Sequence, residues 1–268
     1  MMALYGYIDD SGVGDILTLS CLIGDSPAWV FLEFEWKEIL AEKNKELIAT
    51  GRKPISRYHA TDCSNSKREF SGWDLHKDQI PFVKELLHAI EKYKFDIVAY
   101  TINLKELARL VPSSRTNPDA FAHVMLLHYI MESIRDGTLA NHPDAVIGLI
   151  HDRGSFDAVL RDAFAAKIDN RSFVAAGRFT SIWPESSERC VPLQQADLIA
   201  YENYRESQRD HSQREMRKSL EWILNRGQVG GFLKGFNKAA LIDFNNYFEN
   251  LPEEARNSFL RAARITAS

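Results

Sequence analysis

Three aspartates sit where side chains can do chemistry. Asp9 and Asp152 close runs of strand-forming residues, Leu4 to Ile8 and Ala145 to Ile150, and glycine follows each shortly afterwards at Gly12 and Gly154. The carboxyl ends of strands in open α/β sheets face the binding crevice. If the two strands are parallel neighbours, both carboxylates enter it. The competing reading is an ordinary turn aspartate at a strand end. Asp197 lies at i+3 from Gln194 and i−4 from Tyr201, so the three share a helix face. Its neighbours Ala196, Leu198, Ile199 and Ala200 are apolar. A buried, unpaired carboxylate is costly, and a metal or other cation offsets that cost; a helix-start aspartate stabilised by the helix dipole is the plainer alternative. His59 and Asp62, in Tyr58-His59-Ala60-Thr61-Asp62, are a fourth candidate. Taken alone, these two read as a polar loop.

Carboxylates that converge repel one another. Either their pKa values rise or divalent ions neutralise them. Magnesium, or manganese, suits oxygen ligands. Two ions about 3.5–4 Å apart would activate water on one side of a phosphodiester and stabilise the leaving oxygen on the other. The metal ligands expected on this basis are Asp9, Asp152 and Asp197, in a two-ion site.

The elements that position these residues follow from periodicity. Leu4 to Ile8 and Ile16 to Ile23 read as a hairpin with a turn signal at Asp10-Ser11-Gly12. Ser26 can cap a helix with Pro27 in its first turn and Trp29, Leu32, Trp36, Leu40 and Leu47 on one stripe, stopped by Gly51. Gly51 to Arg68 has no period, and its five basic residues (Arg52, Lys53, Arg57, Lys67, Arg68) face one acid, Asp62, as a candidate phosphate-holding rim. Phe82, Leu86, Ile90 and Tyr93 mark a helix, Phe95 to Ile102 a strand, and Phe121 to Ile134 a well-buried helix capped by Asp119 and ended by Gly137. Ala145 to Ile150 suits a strand covered on both faces. Helices follow at about Ser155 to Ile168 and Leu193 to Ser207, and a last one at Pro252 to Arg264. Arg226 to Lys238 combines four glycines, three basic residues and the aromatics Phe232 and Phe236, as either a lid over a nucleic-acid groove or a connector. The opening hairpin and the alternation after it predict an α/β fold with a mixed sheet flanked by helices and additional C-terminal helices. The expected division is a domain over 1–210 and a helical extension over 211–268 packed on it.

The 268 residues are long enough for a substantial core. With 45% hydrophobic and 26% charged residues the composition is globular, and the net charge of −4 means that any nucleic-acid surface must be local. Cys21, Cys63 and Cys190 have no zinc-finger spacing and read as reduced thiols. No basic region precedes an apolar stretch at the N-terminus, and no apolar run nears the roughly 20 residues of a membrane span. A cytoplasmic protein with no membrane partner is expected.

Tyr7-Ile8-Asp9-Asp10-Ser11-Gly12, Tyr58-His59-Ala60-Thr61-Asp62, His151-Asp152-Arg153 and Leu193-Gln194-Gln195-Ala196-Asp197-Leu198-Ile199-Ala200 resemble, in order, the motifs of the family called domain of unknown function 3800. The resemblance spans roughly residues 5 to 205. It implies an RNase H-like sheet with Asp9 on the first strand, Asp152 on a later central strand and Asp197 on a C-terminal helix. It also implies a setting in bacteria, phages or mobile elements. This chain has Asp-Asp-Ser-Gly where the family commonly has Asp-Glu-Ser-Gly, and Arg57 and Tyr58 where many members carry a glutamate before the second motif. Asp62, Asp10, Glu33, Glu35 or Glu38 would then supply the second acid.

The function expected is a magnesium-dependent nuclease or other phosphodiester-processing hydrolase acting on DNA or RNA, with Asp9, Asp152, Asp197, His59 and Asp62 at the site. The alternative is a non-catalytic nucleic-acid-binding or regulatory module on the same fold. A phosphotransferase of the actin-like kind, suggested by Asp9 to Gly14 as a phosphate loop, lacks a second copy of the subdomain. Walker, nucleophile-elbow and zinc-finger patterns are absent from the sequence.

Overall fold

A computed structural model describes residues 2–208, 221 and 230–265. The first two strands, β1 (Met2–Val13) and β2 (Ile16–Asp25), form a long antiparallel hairpin. The chain does not turn at Asp10-Ser11-Gly12, as the sequence suggests. It turns at Gly14-Asp15, where Gly14 takes φ +68°, a conformation that glycine adopts without steric cost. Gly12 lies inside the ladder opposite Leu17, and a Cβ there would fall 2.2 Å from the Ile16 carbonyl oxygen. The glycine therefore serves close strand approach. Since residues 9–13 are paired with 16–20, their backbone is spent on the ladder and does not form a phosphate loop. Asp9, opposite Ser20, lies within the strand rather than closing it.

Asp25, one residue before the expected cap, starts α1 (Ser26–Ala49), its carboxylate accepting from the Ala28 N–H at 2.8 Å. The stripe Trp29, Leu32, Trp36, Leu40 and Leu47 is buried as its spacing predicts. A short turn, α2 (Ala60–Ser64), and α3 (Ile80–Glu91) lead into β3 (Asp96–Asn103). Then come α4 (Leu104–Leu110), α5 (Pro118–Asp136), α6 (Thr138–Asn141), β4 (Ala145–Asp152), α7 (Asp157–Ile168), β5 (Phe179–Glu185), α8 (Val191–Ser207) and β6 (Gly230–Gly235). Asn117, not Asp119, caps α5.

The sheet has the order β5-β4-β1-β2-β3-β6. The three strands β1, β2 and β3 are antiparallel in sequence; β4 runs parallel to β1, β5 to β4, and β6 to β3. This is an α/β protein with a mixed sheet. Each face carries its own core. Leu4 and Ile8 of β1 and Ile147 and Leu149 of β4 pack against α5 and α7. Tyr5 and Tyr7 lie against the other core, with α1, α3 and α8. Strand alternation then puts Asp9 and Asp152 on the α8 face, and Asp10 and His151 on the α5 face.

Two elements have no counterpart in the sequence reading. β5 carries Pro184 and pairs at the sheet edge, and three of the six residues of β6 are glycine. Of the candidate lid, 226–229 lie outside the described residues; Gly230–Gly235 is a sheet strand, and Phe236 is buried against Tyr100 and Tyr129. The described part is therefore an edge strand whose following Phe236 packs on the core, as the connector reading has it. The C-terminal region is accordingly not purely helical: it adds β6 and two helices, Lys238–Glu249 and Glu253–Ala262, whose Phe244, Phe248 and Phe259 close around Phe121 of α5. Among the described residues, no helix is long and apolar enough to cross a membrane.

Candidate functional site: a carboxylate cluster on two parallel strands

β1 and β4 are parallel neighbours in a register that places Ile8 beside His151. Asp9 and Asp152 are the next residues on each strand and share the face covered by α8. That helix crosses β1 and β2 and brings the buried Asp197 over them. The consequence is electrostatic. The Asp9 carboxyl is pushed well above the ordinary range, first by burial and then by the charges of Asp197, Asp10 and Asp152. Asp197 is pushed up to about 6; burial is the largest cause, the Asp152 charge adds to it, and His59, the Ala60 N–H and Arg57 oppose it. Asp9, Asp152 and Asp197 thus interact as one cluster, with Arg57 and His59 beside it.

Each carboxylate is held by backbone. Asp9 Oδ1 accepts from the Asp10 N–H at 2.9 Å, and Asp197 Oδ2 from the Ala60 N–H at 2.7 Å. Asp152 is gripped at both oxygens: Oδ1 accepts from the N–H groups of Arg153 and Ser187 at 3.0 and 2.9 Å, and Oδ2 from the Ser187 hydroxyl at 3.0 Å. The Ser187 hydroxyl oxygen in turn accepts from Arg57 Nη1 at 2.6 Å. Gln194 ties these segments together. Its Oε1 accepts from the Trp36 indole N–H and the Tyr58 N–H, both at 3.1 Å, and its amide donates to the Ser187 carbonyl at 2.9 Å.

His59 caps α2, its Nδ1 accepting from the Asp62 N–H at 3.3 Å. Asp62 turns toward His59 and Arg68, at 3.4 and 3.6 Å. It is not among the charges that shift Asp9 or Asp197, so the structure brings His59 to the cluster and leaves Asp62 at its edge. Within the basic stretch, Arg52 pairs with Asp78 at 2.9 Å and Glu46 at 3.4 Å, while Lys53 and Lys67 are exposed. Of the glutamates of α1, Glu35 pairs with Lys92 and Glu33 with Lys37. Asp10 is exposed and, by strand alternation, lies on the opposite face of the sheet.

Sequence reasoning passed over Arg57, Ser187 and the bridging role of Gln194. Arg57 stood out as one of five basic residues and as a departure from the second motif, neither of which assigned it a role, and Ser187 carries no motif.

Among the described residues, no three His, Cys, Asp or Glu side chains form a set that could hold a metal ion. The donor chemistry still fits a hard cation. Asp9 Oδ2 and Asp197 Oδ1 accept no hydrogen bond among the described residues, and magnesium commonly takes one or two carboxylates and keeps its remaining waters. No family model, no curated protein and no solved structure matches this chain.

Proposed function

We propose that this chain is a magnesium- or manganese-dependent phosphodiester hydrolase of RNase H-like type acting on nucleic acid. The observation that carries the reading is the convergence of Asp9 of β1, Asp152 at the end of β4 and Asp197 of α8, whose charges raise one another's carboxyls, a charge arrangement that a divalent cation relieves. The sheet order supports it as well. Within β3-β2-β1-β4-β5, three antiparallel strands are followed by two parallel ones, with Asp9 on the first strand, Asp152 on the fourth and Asp197 on α8, the helix after β5. These are the positions that the resemblance implies.

A bound divalent ion would supply a lowered pKa for an attacking water and charge neutralisation at the leaving oxygen. The chain's own part is positioning and proton balance. Asp9 and Asp197 each offer an oxygen free of hydrogen bonds, while the Ser187 and Arg153 N–H groups fix the orientation of Asp152. Because Asp197 titrates near 6, the cluster holds protons below that pH, and cation affinity should fall as the solution is acidified past it. His59, with a side chain 36% exposed beside the cluster, would be the group to exchange a proton with solvent there.

A non-catalytic nucleic-acid-binding module is the second reading. The incomplete metal-ligand set favours it. The two separate in a cleavage assay on single- and double-stranded DNA and RNA with magnesium or manganese. Cleavage that needs the ion and drops at least 100-fold in Asp9→Asn supports the hydrolase. Binding without cleavage under every condition would move the assignment to the module.

A further inference from the structure

The carboxylate cluster contains a cation of its own. Of the five basic residues between Gly51 and Arg68, Arg52 is bound to Asp78 and Glu46, Arg68 reaches Asp62, and Lys53 and Lys67 are exposed. Arg57 combines two features: it is half-buried, unlike Lys53, Lys67 and Arg68, and among the described residues it has no carboxylate within ion-pair distance, unlike Arg52. Its only hydrogen bond there runs from Nη1 to the Ser187 hydroxyl at 2.6 Å, and that hydroxyl donates to Asp152 at 3.0 Å. The guanidinium thus stands one hydroxyl away from a cluster carboxylate without contacting it. Ser187 is buried, so one end of the guanidinium is fixed while its Nη2 and Nε groups stay unused among the described residues.

Such an arrangement is poorly suited to stabilising the acids alone, since a direct Arg57–Asp152 fork would do so better. It is suited to a third party that carries negative charge and sits between the fork and the acids. A tetrahedral phosphate matches the planar N–H fork bidentately, and lysine does not reproduce that geometry. We propose that Arg57, oriented by Ser187, is a phosphate-binding subsite that holds a nonbridging oxygen of the nucleic-acid backbone at the mouth of the carboxylate cluster. The proposal rests on the hydrolase reading for the identity of the phosphate as a nucleic-acid diester. It also reassigns the basic rim: one half-buried arginine, rather than the paired Arg52 and the exposed Lys53, Lys67 and Arg68, makes the contact that matters at the reacting group.

The test compares the unmodified protein with Arg57→Gln and Arg57→Lys. The probes are 5′-labelled single-stranded DNA and RNA 12-mers. Binding is read by fluorescence anisotropy over a salt series in calcium, and cleavage is read in magnesium. Loss of one charged contact should weaken binding about tenfold in Arg57→Gln. The slope of log K against log salt should become shallower by about 0.7, the value for one phosphate of a single strand. KM should rise more than kcat falls. Arg57→Lys should retain the salt slope and recover only part of the affinity, because charge survives and the fork does not; it also serves as the reporter if Arg57→Gln does not fold. Affinity and slope unchanged in Arg57→Gln, beside magnesium-dependent cleavage that still needs Asp9, would overturn the subsite and leave the hydrolase standing. Failure of the unmodified protein to bind or cleave any probe would overturn both.

Discussion

Asp197 is buried among apolar side chains of α8, and its carboxyl titrates near 6 because burial and the Asp152 charge outweigh the pull of His59, Arg57 and the Ala60 N–H. In an unfolded chain the same group titrates near 3.9. Between about pH 4 and 6 the native state therefore holds more protons than the unfolded state, so stability falls as pH rises through that window, by at most about 1.4 kcal/mol per pH unit from this group. In metal-free buffer, Asp197→Asn should lose most of this dependence and melt higher than the unmodified protein at pH 7. Thermal melting across pH 4 to 7 checks it, and parallel curves for the two proteins would show that Asp197 is not strained by ionisation. The aspartates themselves were legible in the sequence, since a strand that ends in acid and a helix with an acid among apolar neighbours are local patterns. Arg57 and Ser187 were not. Their contact joins residues 130 positions apart, and neither belongs to a periodic element that would announce a role.

At the scale of elements, the site is held by a side-chain amide. Gln194 satisfies the Trp36 indole of α1, the Tyr58 N–H before α2 and the carbonyl of Ser187 before α8. Gln194→Ala would leave three buried polar groups without partners, and stability should fall by roughly 2–4 kcal/mol on the cost of each such loss. Asp152 should also lose its fixed orientation. Chemical denaturation measures the first effect and reduced cleavage the second; a change under about 0.5 kcal/mol would place the bridge outside the stabilising set. Helix α1 was readable because its buried stripe recurs at helical spacing, and α8 because nothing in Leu193 to Ser207 breaks a helix. The strand β1 was read too short because Asp-Ser-Gly is a turn signature, yet Gly12 is there for contact with β2 and the turn falls at Gly14. β5 and β6 escaped because proline and glycine argue against strands, and both lie at sheet edges where such residues are tolerated.

At the scale of the molecule, the sheet separates two cores and brings the ends of β1 and β4 to one place, where α8 closes over them from a single side. The mixed α/β class followed from the order of hairpin, helices and strands in the chain. The return of the C-terminal region through β6 did not, because a parallel edge pairing with β3 depends on a partner some 130 residues upstream. With a formal charge of −4 and three converging carboxylates, the folded chain should be stabilised by a cation that the unfolded chain cannot gather. The central claim is that these carboxylates form a divalent-cation site. It is tested most directly by thermal melting of the unmodified protein and Asp152→Asn, each with and without 10 mM magnesium. For a dissociation constant near 1 mM, linkage contributes about 1.4 kcal/mol, which corresponds to a rise of about 3 °C in a chain of this size. The account predicts that rise in the unmodified protein and less than about 1 °C in Asp152→Asn, whose metal-free midpoint should equal or exceed that of the unmodified protein. No rise in the unmodified protein, or an equal rise in both, would contradict it.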